Sequence, residues 1–169
     1  GGYVDHPRDP GGATNLGVTL KTLSAWRGHT VSKADVRSLT RAEAYSIYRA
    51  NYWNKIRGDE LLAGPDAALF DIAVNSGPGR AVQWMHLTVG KNAVDAVKAI
   101  SSKRRTFFQS LSTFKTFGKG WMRRVNEVEA WSISWSYRAV GANPTIVLKA
   151  EANKSRSTVK KVDAANGGV

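Results

Sequence analysis

The sequence contains no cysteine, so disulfide bonds, thiol nucleophiles and thiolate metal sites are all excluded. Its three histidines (His6, His29 and His86) lie far apart without metal-ligand spacing, and we expect no metal site and no cofactor. No apolar run approaches the roughly 18 residues that a transmembrane helix requires. Glycine-rich phosphate loops and the G-x-S-x-G motif of serine hydrolases are also missing. The function must therefore be sought in other motifs.

Acidic residues are scarce relative to basic ones. The chain carries 25 Lys and Arg against 13 Asp and Glu, which gives a formal net charge of +12. The excess is uneven, because residues 1–100 hold 12 basic and 9 acidic side chains whereas residues 101–169 hold 13 and 4. A basic surface attracts polyanions such as nucleic acid, an anionic membrane or the bacterial envelope. Composition alone does not choose among these partners.

The N-terminal third combines an irregular segment with short helices. Residues 1–18 are rich in glycine and proline, which predicts irregular structure with a short hairpin over Ala13 to Thr19. Three hydroxyl residues are placed to begin helices: Thr19, Ser32 and Thr40. Thr40 and Glu43 have the spacing of a capping box. The helix after Thr40 is expected to turn three tyrosines, Tyr45, Tyr48 and Tyr52, toward the core.

A second group of helices follows from residue 65. Residues 65–76 begin with Pro-Asp and are apolar on nearly every side, which predicts a helix buried at the centre of the domain. Residues 94–112 are expected to be helical with a break, and Gly118 to Gly120 to introduce a last long helix. That helix has an apolar face of Trp121, Val125, Val128 and Trp135, with Arg123, Arg124 and Glu127 facing away. These patterns predict an all-α fold with a minor β-hairpin.

The N-terminal segment is also the most polar candidate for a site. It holds two carboxylates, Asp5 and Asp9, among many turn residues, which indicates a rigid polar loop. One interpretation is structural, with both carboxylates accepting backbone N–H groups in Asx turns. The other interpretation is a catalytic loop, and the spacing of the residues does not exclude either.

The segment G-G-Y-V-x-x-P-x-D-P-G-G-x-T-N-x-G-V-T resembles the N-terminal motif of glycoside hydrolase family 108. Members of this family are phage- and prophage-type N-acetylmuramidases with a lysozyme-like helical fold and a central buried helix. The resemblance continues in order through residues 47–53, 70–77 and 117–125. It implies a lysozyme-like catalytic region over residues 1–90 and a helical peptidoglycan-binding-like region over 91–140 packed on it. Independently of the resemblance, the helical pattern fades beyond residue 140, and the basic composition of residues 141–169 predicts a mobile tail.

Two departures from the family pattern stand out. In the family a glutamate, the general acid, immediately precedes the Gly-Gly-Tyr sequence, and this chain starts at Gly1 without it. Residues 91–95 also lack most of an Asp-Gly turn and a threonine that family members carry there. The resemblance therefore implies a catalytic glutamate that the given sequence does not contain.

The resemblance implies roles for particular residues. Cleavage of a glycosidic bond requires a carboxylic acid and a second group that stabilises the transition state or positions water. Asp9 is the candidate second carboxylate, with Asp5 as its rival, and Thr14 is the candidate for orienting water. The candidate substrate-binding residues are Tyr3, Asn75 and Ser76. Five tryptophans could stack on sugars, although packing in the core is the favoured role for each: Trp26, Trp53, Trp84, Trp131 and Trp135.

The expected function is a monomeric peptidoglycan hydrolase that cleaves β-1,4 bonds by general acid catalysis. Its partners would be peptidoglycan and anionic envelope polymers. A phage or prophage endolysin would be made in the host cytoplasm and would act in the periplasm or cell wall. Two alternatives stay open: a catalytically inactive cell-wall-binding or phage-structural module, and a basic nucleic-acid-binding helical domain. The absence of a recognition motif for nucleic acid argues against the last one.

Overall fold

Seven α-helices and one two-stranded hairpin occupy the part of the chain that the computed structural model describes, residues 2–5 and 12–142. The candidate Asp9 and the tail from residue 143 onward lie outside these ranges. The chain divides into two compact units, Gly1–Asn51 and the residues from Tyr52 onward. The predicted all-α class with a minor β-hairpin, as in lysozyme-like helical folds, is confirmed. The predicted boundary at residue 90 stays a prediction.

The hairpin of the first unit pairs strand β1 (Thr14–Asn15) with strand β2 (Val18–Thr19) in antiparallel register. Leu16 and Gly17 form its turn, and both have positive φ angles, 50° and 77°. Two residues with positive φ in a two-residue loop match the right-handed twist of the flanking strands. The predicted hairpin is therefore confirmed.

Three helices complete the first unit: α1 (Leu20–Arg27), α2 (Lys33–Arg37) and α3 (Arg41–Tyr48). The predicted caps are confirmed, because the side chains of Thr19, Ser32 and Thr40 each accept a backbone N–H in the first turn. The buried core of this unit consists of Ala13, Val18, Leu23, Val31, Val36, Leu39, Ala44 and Ile47.

The prediction for the tyrosine face of α3 is wrong in part. Ala44 and Ile47 are buried, whereas Tyr45 is 64% exposed. Tyr48 is half-buried and packs against the core of the first unit. Tyr52 lies in the π-helical turn (Arg49–Trp53) that follows α3, and it is half-buried against the core of the second unit, so the prediction fails for Tyr45 alone.

The capping box at Thr40 is only half formed. Thr40 Oγ1 accepts the N–H of Glu43 at 3.1 Å, as expected. The Glu43 carboxylate is instead bound by the guanidinium of Arg27, through Nε at 2.9 Å and Nη2 at 2.8 Å. These hydrogen bonds lower the pKa of Glu43. A charged partner from α1 has therefore displaced the local backbone partner that the sequence motif predicts.

The second unit is built around helix α4 (Pro65–Ser76). Two single turns of 3-10 helix precede it, Asn54–Ile56 and Gly58–Glu60. Helix α4 packs against three further helices: α5 (Pro78–Trp84), α6 (Ala93–Gln109) and α7 (Phe114–Ala142). A 3-10 turn (Met85–Thr88) follows α5. Four residues of α4, Ala68, Leu69, Ile72 and Ala73, are almost fully buried, which confirms the predicted central helix.

The last two helices differ from their predicted extents. Helix α6 is continuous, so the expected break is wrong. Helix α7 begins at Phe114 and runs through Gly118 and Gly120 instead of starting there. Each interior glycine costs about 1 kcal/mol relative to alanine. A Cβ at Gly118 would overlap the ring of Phe114, so the absence of a side chain there allows this ring to pack on the helix. Across the described residues, no helix combines the length and apolarity needed to cross a membrane.

The start of α4 lies unusually close to α7. Gly64 precedes α4 with a φ of 103°, and a Cβ at this position would overlap Ser136 Oγ and the carbonyl oxygen of Ser132. Ser136 Oγ donates to the carbonyl oxygen of Ala63 at 3.0 Å and lies 2.9 Å from that of Ser132. Small residues on both sides therefore allow the two backbones to meet.

Candidate active site

Two of the predicted site residues, Tyr3 and Thr14, lie on paired segments of the first unit. The backbone N–H of Val4 donates to the carbonyl oxygen of Thr14 at 2.8 Å, and the reverse hydrogen bond has the same length. Thr14 is half-buried, and its Oγ1 donates to the carbonyl oxygen of Gly12 at 3.3 Å. The guanidinium of Arg37 lies 4.3 Å from the centre of the Tyr3 ring. The structure thus brings Tyr3 and Thr14 together on one rigid ribbon.

Asn15 is a structural residue that sequence reasoning missed. It is buried, and its Nδ2 donates to the carbonyl oxygens of Val36 at 3.1 Å and Arg37 at 3.0 Å. Those carbonyls lie at the end of α2, where intrahelical donors are lacking. Because Asn15 fixes β1 to α2, it also fixes the adjacent Thr14. In the sequence, only its position next to Thr14 in the T-N pair of the motif pointed to a role for Asn15.

Asp5, the rival of Asp9, is already engaged in an ion pair. Its carboxylate lies 3.0 Å from Lys33 Nζ, and this hydrogen bond raises the pKa of Lys33. The lysine side chain is 65% exposed, so the pair is weak. The surroundings of Asp5 are those of a solvated surface carboxylate. The position of Asp9 is not among the described residues.

Asn75 and Ser76 end helix α4 in the second unit. Asn75 is exposed, and its Nδ2 donates to the carbonyl oxygen of Asp71 at 2.7 Å. The carbonyl oxygen of Ser76 accepts Arg80 Nη1 at 3.1 Å. Both residues line a cavity of about 260 Å³. The cavity's other walls are Arg80, Arg104, Phe107, Phe108, Leu111, Trp121 and Arg124.

Asp71 joins three helices through two arginines. Its Oδ2 accepts Arg104 Nη1 at 2.6 Å, and its carboxylate accepts Arg124 Nε at 3.2 Å and Nη2 at 2.5 Å. The side chains of Arg104 and Asp71 are only 3% and 14% exposed. The hydrogen bond to Asp71 raises the pKa of Arg124. The expectation that Arg124 faces away from the rest of the protein is therefore wrong.

The sequence contained two signals for this ion-pair cluster. Asp71 is the one charged residue within the apolar run of residues 67–74, and a buried carboxylate requires a partner. Arg104 continues the spacing of the buried residues Val97, Ile100 and Phe108 on α6. Both features were visible, but neither identifies which residue pairs with which.

A second cavity of about 330 Å³ has aromatic walls. Trp131 and Trp135 stack in parallel, with ring centres 6.0 Å apart, and are 58% and 43% exposed. Trp53 contributes to the same cavity, whereas Trp84 lies in the core. The favoured core role therefore fits Trp84 and is wrong for Trp131 and Trp135. It is also wrong for the exposed Trp26.

Asp66 lines the aromatic cavity. Burial raises the pKa of its carboxyl. Its Oδ1, however, accepts the backbone N–H groups of Gly64 at 2.8 Å and Ala67 at 2.6 Å. The carboxylate therefore caps the start of α4, and we assign it a structural role. Within residues 2–5 and 12–142, no three His, Asp or Glu side chains come close enough together to hold a metal ion.

Comparisons with known proteins identify relatives. The model of the family described as Glycosyl hydrolase 108 matches residues 1–77. Among solved structures, the chain is similar to SagA of Brucella abortus, with 45% sequence identity and a TM-score of 0.68. That similarity covers 80% of this chain and 88% of SagA. No curated protein sequence gives a significant match.

Proposed function

Because the chain belongs to the glycosyl hydrolase 108 family, we propose that it is an N-acetylmuramidase. It would cleave the β-1,4 bonds between N-acetylmuramic acid and N-acetylglucosamine in bacterial peptidoglycan. The match of residues 1–77 to the family carries this proposal, because that range contains every predicted site residue. These residues are Tyr3, Asp9, Thr14, Asn75 and Ser76.

The proposed chemistry requires a general acid, a second carboxylate that faces the sugar and a group that orients water. The resemblance places the general acid on a glutamate immediately before Gly1, where it would protonate the leaving glycosidic oxygen. Asp9 would face the sugar and Thr14 would orient water. The strand pairing of Thr14 and the anchoring of Asn15 support this role, since a positioned hydroxyl requires a rigid backbone. Tyr3 would form part of the cleft wall.

The net charge of +12 supports an anionic polymer as the partner. A positive surface raises the rate at which such a protein meets a polyanion, and added salt weakens this attraction. We propose that anionic envelope polymers attract the protein to the wall. An endolysin of phage or prophage origin would act on peptidoglycan in the periplasm or cell wall.

The decisive experiment compares three proteins that differ only at the position before Gly1. One is the chain as given, one is extended by a glutamate, and one is extended by a glutamine. Purified walls are treated with each, turbidity is followed, and the soluble fragments are reduced and identified by mass spectrometry. We expect muramic acid at the reduced ends with the glutamate form alone, since a general acid contributes about 10²–10⁴-fold in rate.

Other outcomes would contradict the proposal in distinct ways. Glucosamine at the reduced ends would indicate a different bond specificity. Retention on walls without cleavage by any of the three forms would indicate a wall-binding or phage-structural module. Salt-sensitive DNA binding without wall binding would indicate the nucleic-acid-binding alternative.

The roles of the two loop carboxylates are tested in the glutamate-extended protein. Asp9→Asn should remove a large part of the rate and leave the melting temperature unchanged. Asp5→Asn should cost less activity, because its carboxylate is paired with the exposed Lys33. If Asp9→Asn lowers the melting temperature but leaves cleavage per folded molecule intact, Asp9 is a structural turn residue.

A further inference from the structure

The cavity at the end of α4 contains a buried cation with unused hydrogen-bond donors. The Arg104 side chain is 3% exposed and lines this cavity. Its Nη1 donates to Asp71, but its Nε and Nη2 have no hydrogen-bond partner among the described residues. Buried guanidinium N–H groups without an acceptor are costly, so such groups are normally satisfied. A ligand that supplies oxygen acceptors would satisfy these donors.

The charge of the cavity favours an anion. Three arginines line it, Arg80, Arg104 and Arg124, and no acidic residue of the described part of the chain does. Asp71 compensates one of the three positive charges through its bonds to Arg104 and Arg124. Aromatic walls lower the local dielectric constant and strengthen the attraction that remains. Trp121 forms one of these walls and stacks on Phe108 at 4.9 Å.

We propose that this cavity binds a carboxylate of the peptidoglycan stem peptide. A planar guanidinium offers parallel N–H groups that match the two oxygens of a carboxylate. The proposal rests on the proposed function, because stem peptides are attached to the muramic acid of that substrate. Asn75 and Ser76, which we propose to bind the sugar, line the same cavity, so its occupant would adjoin the glycan. The volume of about 260 Å³ admits a short acidic side chain.

Direct binding is tested on the chain as given, by NMR of the ¹⁵N-labelled protein. The reporters are the Arg104 Nε–H and the Trp121 indole N–H, assigned by their loss in Arg104→Lys and Trp121→Phe. The probes are the dipeptide L-Ala-D-Glu, the same dipeptide with both carboxyls amidated, and inorganic phosphate. We expect the free dipeptide to shift both signals saturably and the diamide to shift neither. No shift with the dipeptide, or equal shifts with the diamide, would overturn the proposal.

The titration with phosphate distinguishes a carboxylate of the stem peptide from a phosphate group as the ligand. A saturable response to phosphate alone would indicate a phosphate-bearing polymer and would overturn the assignment to a stem peptide. Arg80→Gln should weaken dipeptide binding by about tenfold, the scale of one hydrogen bond to a charged group. Arg123→Gln removes the same charge from an exposed site on α7 and should leave binding unchanged.

The effect on cleavage is tested in the glutamate-extended protein with two substrates. One is intact peptidoglycan, and the other is glycan freed of stem peptides by an amidase. Arg80→Gln should raise KM about tenfold on the first and leave the second unchanged. If the substitution acts instead by displacing Ser76, whose carbonyl oxygen Arg80 binds, cleavage of both substrates should be impaired equally. That result would overturn the proposal. Dipeptide binding without cleavage of either substrate would refute the muramidase proposal while supporting the carboxylate site.

Discussion

Replacement of Asp71 by asparagine should strongly destabilise the second unit. Asp71→Asn keeps the shape of the side chain but removes its negative charge. The buried guanidinium of Arg104 would then lose the carboxylate that lies 2.6 Å from its Nη1. Arg104 is among the most buried polar residues that the structure describes, with 2% of its surface exposed.

The expected cost follows from the burial of the pair. Removal of one partner from a buried ion pair costs about 3–5 kcal/mol, because an uncompensated charge is left behind. The second pair, between Asp71 and the half-exposed Arg124, contributes no more than about 1 kcal/mol of this. Most of the loss therefore arises at Arg104. With urea m-values of about 1–3 kcal/mol/M, the midpoint should fall by about 1 M or more.

Urea unfolding followed by circular dichroism at 222 nm measures this loss. Glu127→Gln is the matched control, because it removes a carboxylate from the exposed Arg123–Glu127 pair and should cost about 0–1 kcal/mol. The double variant Asp71→Asn, Arg104→Met should recover much of the stability, since no buried charge remains. If Asp71→Asn costs no more than Glu127→Gln, the reasoning from burial is refuted.

Four further results are expected. Thr14→Val should lower wall cleavage in the glutamate-extended protein by about tenfold or more with little change in melting temperature; a matching loss of stability would instead mark Thr14 as structural. Glu43 has a lowered pKa in the folded state, so its stabilising contribution is present above the unfolded pKa and is lost as pH falls through the folded one. Glu43→Gln should therefore lower the melting temperature at pH 7, and the difference from the parent should vanish in acid. Gly64→Ala should cost about 1–3 kcal/mol in urea unfolding, because of its positive φ and its overlap with Ser136. Wall binding in a sedimentation assay should fall steeply with added salt, and binding that is insensitive to salt would refute electrostatic attraction.

Features determined within a few residues were predictable from the sequence. The caps at Thr19 and Ser32 depend on a hydroxyl and a backbone N–H three residues later, so the local sequence is sufficient. The central helix was equally predictable, because residues 67–74 are apolar except for Asp71 and burial satisfies such a helix best.

Features determined by distant partners were not predictable in this way. The capping box at Glu43 failed because Arg27, 16 residues away, competes for its carboxylate. Asp71 and Arg104 are 33 residues apart in the sequence, and their residue types alone do not show that they pair with each other. The sequence motifs identified the family, whereas the arginines that line the cavity at the end of α4 were missed, since charge alone does not distinguish a buried arginine from a solvated one.

The close approach at Gly64 has a consequence for how this sequence can diverge. A Cβ at Gly64 would overlap the Ser136 side chain and the carbonyl oxygen of Ser132, so neither Gly64 nor Ser136 can be enlarged alone. A larger residue at position 64 becomes acceptable only with a retreat of α7, which would disturb the hydrogen bond from Ser136 to Ala63. Random libraries at position 64 should therefore return glycine, and natural variation at positions 64 and 136 should be correlated. Residues separated by more than 60 positions in the chain thus evolve as one site.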